Sequence, residues 1–107
     1  MASHLTTHVL DATSGTPAAG IEVVLADVSG QEWGRGATDD DGRLALGPER
    51  LDPGDYTLAF ATAAYFAARG VDAFYPSVTV AFTVAERPHY HVPLLLSPFA
   101  YSTYRGS

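Results

Sequence analysis

The chain has 107 residues, of which 47% are hydrophobic and 17% charged, and this predicts one globular domain with a buried core. A net charge of −6 disfavours nucleic acid and anionic membranes as partners, because both bind through basic patches. The absence of cysteine and lysine excludes disulfides, thiol catalysis and Schiff-base chemistry. No signal peptide or membrane-spanning stretch is evident, so we expect a cytoplasmic protein.

Short strands separated by turns account for the first half of the chain. Alternating apolar residues predict strands at 5–12 and 21–28, with a glycine- and proline-rich connection between them. A weaker strand follows at 31–38. The aspartate run that ends in Gly42 is turn chemistry, and it places Arg43 at the start of the next strand.

The second half adds the single helix candidate and the closing strands. Residues 62–69 favour a helix with Thr62 as N-cap and Gly70 as its stop. Strands are predicted at 56–61, 77–84 and 89–96, and a turn at Ser97 and Pro98 leads into a final strand. Seven or eight short strands with one helix predict an all-β, two-sheet antiparallel β-sandwich, a single domain over 1–107. Pro93 belongs on an edge or at a bulge, so we expect an irregularity there.

Strand alternation assigns residues to faces. We expect Val9, Tyr101 and the set containing Val92 to line the core, and the aromatic tail to be packed. The opposite face then holds His8, Leu10, His91, Pro93, Leu95, Ser102 and Tyr104. A solvated face would have more charge and less leucine, so we expect it to contact another subunit.

The four histidines form two pairs, 4 with 8 and 89 with 91, and the even spacing predicts that each pair shares a strand face. Zinc ligation is one interpretation, but no acidic ligand lies at a supporting spacing. Structural histidines are the better interpretation for His4 and His89, and composition alone favours it for the other two. By itself Arg43 is typical of a surface arginine, the aspartate run of a loop or a weak calcium site, and residues 104–105 of a frayed end. These residues alone yield only a hypothesis of hydrolysis by histidine and arginine.

Three segments resemble the transthyretin-like 5-hydroxyisourate hydrolases. They are LTTHVLDATSGTPAAGI at 5–21, TDDDGRL at 38–44 and HYHVPLLLSPFAYSTYRGS at 89–107. The closing YRGS is the most specific signal. The hormone-carrying transthyretins share the V-L-D-A and L-L-S-P framework, but they lack that ending, and they lack histidine at the places of His8 and His91 and arginine at the place of Arg43.

The resemblance implies a transthyretin-like β-sandwich, assembled as a homotetramer with active sites at the dimer–dimer interface. It implies His8, Arg43 and His91 as catalytic residues, and Arg43, Tyr104, Arg105 and Ser107 as substrate-binding residues, with no metal or cofactor. The substrate would be 5-hydroxyisourate of urate catabolism. Histidine-assisted attack of water would open its six-membered ring to give 2-oxo-4-hydroxy-4-carboxy-5-ureidoimidazoline. A carrier of a small aromatic ligand and a structural sandwich with no site are the competing interpretations.

Overall fold

The computed structural model describes residues 3–106, and within them nine strands and one helix form two packed sheets. The elements are β1 (Leu5–Asp11), β2 (Thr16–Pro17), β3 (Glu22–Asp27), β4 (Glu32–Ala37), β5 (Arg43–Leu46), β6 (Gly54–Phe60), α1 (Thr62–Ala67), β7 (Val78–Val84), β8 (Tyr90–Leu96) and β9 (Tyr101–Thr103). One sheet has the order β2-β1-β8-β9, with β5 also paired to β1, and the other has the order β4-β3-β6-β7. The predicted all-β sandwich with one short helix is confirmed. The connection predicted at 13–20 contains the two-residue β2.

The core lies between the sheets and is built by alternate residues of the long strands. In β1 every second side chain from Leu5 to Asp11 is buried, while Thr6, His8 and Leu10 are only half-buried. The other sheet contributes its own alternate residues, among them Leu25, Leu58 and Phe60, all fully buried. A period of two thus directs one face of each sheet into the core.

The two strands at the centre of the first sheet, β1 and β8, run parallel. Every other strand pair within residues 3–106 is antiparallel, as predicted. The parallel register sets Thr6 opposite His91 and Leu10 opposite Leu95. It therefore decides which residues of two distant segments become neighbours on the outward face.

Helix α1 begins at Thr62, but Thr62 is not its cap. Ala61 occupies the N-cap position without a side-chain hydrogen bond, so the predicted capping role is wrong. The Thr62 side chain is buried instead, and its hydroxyl has no hydrogen-bond partner among residues 3–106. Burial of the helix's inner face thus determines the orientation of the first turn, and it leaves the Thr62 hydroxyl unsatisfied among these residues. Gly70 adopts a φ of +70° beyond the helix, as a stop signal predicts.

The irregularity predicted at Pro93 is found on one side of β8 and not on the other. The pairing with β1 passes through Pro93 without a register shift, so β8 is a central strand there. The pairing with β9 stops at Leu94 and returns only as an isolated bridge between His91 and Gly106. The interruption therefore spans Pro93, which lacks a backbone donor.

The aromatic tail is less buried within one chain than the sequence predicts. Tyr101 is 43% exposed and does not line the core, and Phe99 and Tyr104 are also exposed. Tyr101 packs edge-on against Tyr75, with ring centroids 5.2 Å apart. No helix within residues 3–106 is long and apolar enough to cross a membrane.

Candidate active site

Strand register brings His8, Arg43 and His91 onto the outward face of the first sheet. His8 pairs with Arg43 across the antiparallel β1–β5 ladder and with Pro93 across the parallel β1–β8 ladder. His91 pairs with Thr6, two positions before His8. Since residues paired across strands point to the same side, the three predicted catalytic side chains share one face.

A cavity of about 440 Å³ opens on this face. Arg43 and His91 both line it, together with Asp39 and His89. Thr6, Thr7, Leu44 and Ala45 complete the lining. The cavity thus combines a guanidinium with imidazoles on a surface formed by β1, β5 and β8.

The acidic turn before β5 orients His8. Its Nε2 lies 3.0 Å from the backbone oxygen of Asp41. A carbonyl oxygen only accepts, so Nε2 carries the hydrogen, and Nδ1 of the neutral ring keeps its lone pair. The turn is itself fixed, because the Asp39 carboxylate accepts hydrogen bonds of 2.9 Å from the N–H groups of Asp41 and Arg43. Gly42 takes a φ of +75° there, as predicted.

His91 is half-buried and held through Nδ1, which lies 2.8 Å from Oγ1 of Thr6. Burial lowers the pKa of His91 below its ordinary value, and the nearby charges of Arg43, His8 and His89 lower it further. The ring is therefore neutral at pH 7. Nε2 takes no part in the Thr6 contact, and the His91 ring makes no other hydrogen bond within residues 3–106.

Arg43 is exposed and has no carboxylate partner within residues 3–106, where the single ion pair joins Arg35 to Glu32. A guanidinium without an ion pair can direct its fork of N–H donors at a ligand. Such an arrangement suits an anionic or carbonyl-rich molecule.

The tail after β9 crosses β8 at His91. The N–H of Gly106 donates to the backbone oxygen of His91 over 2.9 Å. Tyr104 and Arg105 are exposed, and with His91 they line a second cavity of about 410 Å³ between β7 and β8. Within one chain these two residues do not line the cavity that contains Arg43. Ser107 lies outside the described residues, so its role stays a prediction.

The other two histidines differ from each other. His4 is buried, with Nδ1 accepting from the N–H of Leu51 over 2.9 Å and Nε2 donating to the carbonyl of Arg87 over 2.8 Å. It is a hydrogen-bonded structural residue, as predicted, but it does not share a face with His8, because it precedes β1. His89 shares a side with His91, as predicted, since both contact Thr6.

Sequence reasoning missed Thr6 as a contact of the His91 ring, whereas Gly106 belongs to the closing YRGS that it singled out. Thr6 bonds the ring directly, and Gly106 lies against it. The spacing of Thr6 and His8 marks Thr6 as a member of the outward face, but only the β1–β8 register sets it beside His91. Within residues 3–106 no three His, Asp or Glu side chains form a group suited to holding a metal ion.

The comparisons with known proteins point in one direction. The model described as HIUase/Transthyretin family matches residues 5–106. A 5-hydroxyisourate hydrolase of Salmonella typhimurium is 48% identical over an alignment of 109 residues. The alignment covers 96% of this chain and 80% of that protein.

Solved structures agree. The Klebsiella pneumoniae 5-hydroxyisourate hydrolase superposes with a TM-score of 0.90 at 37% identity, over 98% of this chain and 94% of the other. Transthyretin from Sparus aurata gives a TM-score of 0.88 at 31% identity, over 96% of each chain. With a family model that spans nearly the whole chain and relatives this similar, the chain belongs to the HIUase/Transthyretin family.

Proposed function

We propose that this chain is a hydrolase that opens the six-membered ring of 5-hydroxyisourate. The observation that supports this most directly is the shared face of His8, Arg43 and His91, where each imidazole is anchored through one nitrogen and its other nitrogen has no hydrogen-bond partner within residues 3–106. The relatives from Salmonella and Klebsiella bear the name 5-hydroxyisourate hydrolase. The face thus offers the groups that a water-attack mechanism needs.

In the proposed reaction, water attacks a ring carbonyl carbon. The new bond joins the water oxygen to that carbon, the carbon–nitrogen bond of the ring breaks, and the nitrogen leaves with a proton. The product is 2-oxo-4-hydroxy-4-carboxy-5-ureidoimidazoline. The carbonyl is activated, so neither a metal nor a covalent enzyme intermediate is needed.

His91 is the proposed general base. Its lowered pKa keeps the ring neutral at pH 7, and Nε2 takes the proton from the attacking water. The same nitrogen then returns a proton to the leaving ring nitrogen. A base placed in this way contributes roughly 10²- to 10⁴-fold to the rate.

His8 and Arg43 assist the attack. The donor bond from His8 Nε2 to Asp41 leaves Nδ1 as an acceptor that orients the water. Arg43 donates to the carbonyl oxygen, where negative charge develops in the transition state. Tyr104, Arg105 and Ser107 are proposed to bind substrate from the tail.

A homotetramer would bring these groups together in one site. The outward face that holds His8 also presents half-buried Leu10 and Leu95, an apolar surface with polar groups set in it. Two dimers that meet on this face would form a channel, and a tail from a neighbouring copy could reach the cavity that contains Arg43. Cytoplasmic placement stays a prediction from the sequence.

The test is an assay with freshly prepared 5-hydroxyisourate, in which its near-ultraviolet absorbance decay is compared with the spontaneous rate. We expect strong acceleration by the wild-type protein, and a loss of about 10²-fold or more in His8→Ala and His91→Ala with the oligomer intact. His4→Asn serves as a histidine control away from this face, because its loss should lower stability rather than turnover. No acceleration by the wild type would overturn the proposal, and full activity in either active-site variant would overturn the histidine roles.

A carrier is the second candidate, because the Sparus aurata transthyretin has nearly the same fold. A passive pocket has no need for anchored imidazoles beside a guanidinium that has no carboxylate partner within residues 3–106. Retention of 5-hydroxyisourate or urate in equilibrium dialysis without acceleration of its decay would favour the carrier.

A further inference from the structure

One hydroxyl lies between two imidazoles at the edge of the site. Oγ1 of Thr6 is 2.8 Å from Nδ1 of His91 and 2.8 Å from Nε2 of His89. His91 lines the cavity and is half-buried, whereas His89 is exposed. The three side chains come from β1, β8 and the residue just before β8, and the parallel register brings them together.

The hydrogen count couples the two rings. A threonine hydroxyl has one hydrogen to donate, so it can donate to only one of the two nitrogens. If it donates to His89, it is free to accept the Nδ1–H of His91, and His91 then has its lone pair on Nε2. If it donates to His91, the hydrogen of His91 lies on Nε2, and that nitrogen cannot act as a base.

We propose that Thr6 and His89 are positioning residues that hold His91 in its Nδ1–H tautomer, through the chain His91 Nδ1–H to Thr6 Oγ1–H to His89 Nε2. The direction of this chain rests on the proposed function, in which His91 Nε2 is the general base. The same chain stabilises the imidazolium that forms when Nε2 takes a proton from water, because Nδ1–H then donates more strongly to Thr6. His89 acts only as the acceptor at the end of the chain and does not touch the reacting atoms.

Nitrogen-15 NMR of the histidine rings tests the tautomer without substrate. In the wild type at pH 8 we expect His91 as Nδ1–H and His89 with its lone pair on Nε2. In Thr6→Val, which keeps the side-chain shape but removes the hydroxyl, we expect a mixture of His91 tautomers. An Nε2–H tautomer of His91 in the wild type would overturn the proposal.

Kinetics provide the second readout. We expect Thr6→Val to lower kcat about 10- to 100-fold with little change in KM, the size of loss that follows removal of the hydrogen-bond partner of a metal-bound histidine. Thr6→Ser should retain most of kcat because it keeps the hydroxyl. Thr57→Val makes the same exchange on the outer face of the other sheet and should leave kcat unchanged.

Two His89 variants test the proposal even if the Thr6 variants do not fold. His89→Phe removes the final acceptor from an exposed position, so it should shift His91 toward Nε2–H and lower kcat. His89→Gln supplies an amide oxygen that can accept from Thr6 and should restore much of the loss. Equal kcat for Thr6→Val and Thr6→Ser, or for the two His89 variants, would overturn the proposal while wild-type turnover still supports the proposed function. If the wild type shows no turnover, the proposed function fails, and the NMR result alone decides the tautomer.

Discussion

The backbone of Gly106 lies directly against the imidazole of His91. A β-carbon at position 106 would come within 2.5 Å of His91 Cδ2, closer than such atoms approach in proteins, and within 3.2 Å of Cγ, which is an unusually tight contact. It would also come within 3.3 Å of Pro93 Cγ. The tail can therefore cross His91 at this distance only if residue 106 has no side chain.

Gly106→Ala should consequently disturb the site more than the fold. The added methyl group must displace the tail or the His91 ring, and displacement of the ring breaks its bond to Thr6. We expect turnover of 5-hydroxyisourate to fall about tenfold or more, as for other changes that misplace a catalytic group, while the melting temperature changes little. Ring NMR signals of His91 should shift in the same variant.

Gly15→Ala is the contrasting control for that substitution. No atom of the part of the chain that the structure describes lies within 4 Å of a β-carbon at position 15, but its φ of +73° strains an alanine. This variant should lose about 1 kcal/mol of stability and keep its turnover. Normal turnover in Gly106→Ala would mean that the tail does not fix His91.

The charge of Arg43 should contribute to the acid limit of activity. Burial first, and then the charges of Arg43, His8 and His89, lower the pKa of His91, so the wild-type kcat/KM should hold as pH falls to the ordinary value of 6.5 and decline only below it. Arg43→Gln removes one of these charges, which raises the pKa of His91. Because a base must be neutral to act, the decline then begins at higher pH.

An NMR titration of the His91 ring alongside the pH–rate profile checks this. Both should move in the same direction in Arg43→Gln, and Arg35→Gln, whose guanidinium is paired with Glu32 on β4, should move neither. An unshifted titration in Arg43→Gln would contradict the assigned cause.

Tyr65 should make the fold sensitive to alkali. Its hydroxyl donates to the buried carboxylate of Asp11 over 2.9 Å, and burial, with that hydrogen bond, raises the pKa of Tyr65 to about 12. In the unfolded chain the Tyr65 hydroxyl titrates near pH 10. The stability that protonated Tyr65 contributes is therefore fully present below pH 10 and is lost as the pH rises from there toward 12.

Tyr65→Phe removes the donor and should lower the free energy of unfolding by about 1.5 to 3 kcal/mol near pH 8, as for a hydrogen bond to a charged group. The difference between variant and wild type should shrink between pH 10 and 12. Urea unfolding across that range measures it. A constant difference would show that the pKa of Tyr65 is not raised in the folded state.

Leu95→Glu should split the proposed tetramer. Leu95 is half-buried on the outward face opposite Leu10 and Ser102, and a carboxylate there would have to be desolvated when two dimers meet. Analytical ultracentrifugation should show dimers and the assay a matching loss of turnover. Val28→Glu, an equal change at an exposed turn, should alter neither. A fully active monomer would overturn the shared site.

Local patterns predicted the strands and their faces well, because alternation is a property of each segment alone. Leu5 and Val9 are buried and His8 is not, as the period of two requires. The parallel contact of β1 with β8 was not predictable in this way, since nothing local records which distant strand lies beside which. Consequently Thr6 could be assigned to a face but not to a partner.

The errors have equally local causes. Even spacing placed His4 with His8, but the strand begins only at Leu5, so the alternation could not be extended back. Threonine is a preferred N-cap residue, but burial of the helix's inner face outweighed this preference at Thr62. The aromatic tail was predicted to be packed, but its side chains are exposed within one chain. The composition of a segment does not tell whether the residues that pack on it belong to the same copy.

The side-by-side arrangement of β1 and β8 has a consequence for biosynthesis. The first strand leaves the ribosome early and must wait, with one edge open, until residues beyond 90 emerge. The pocket on this face therefore cannot form until β8 is available to pair with β1, and until then β1 presents an unpaired edge.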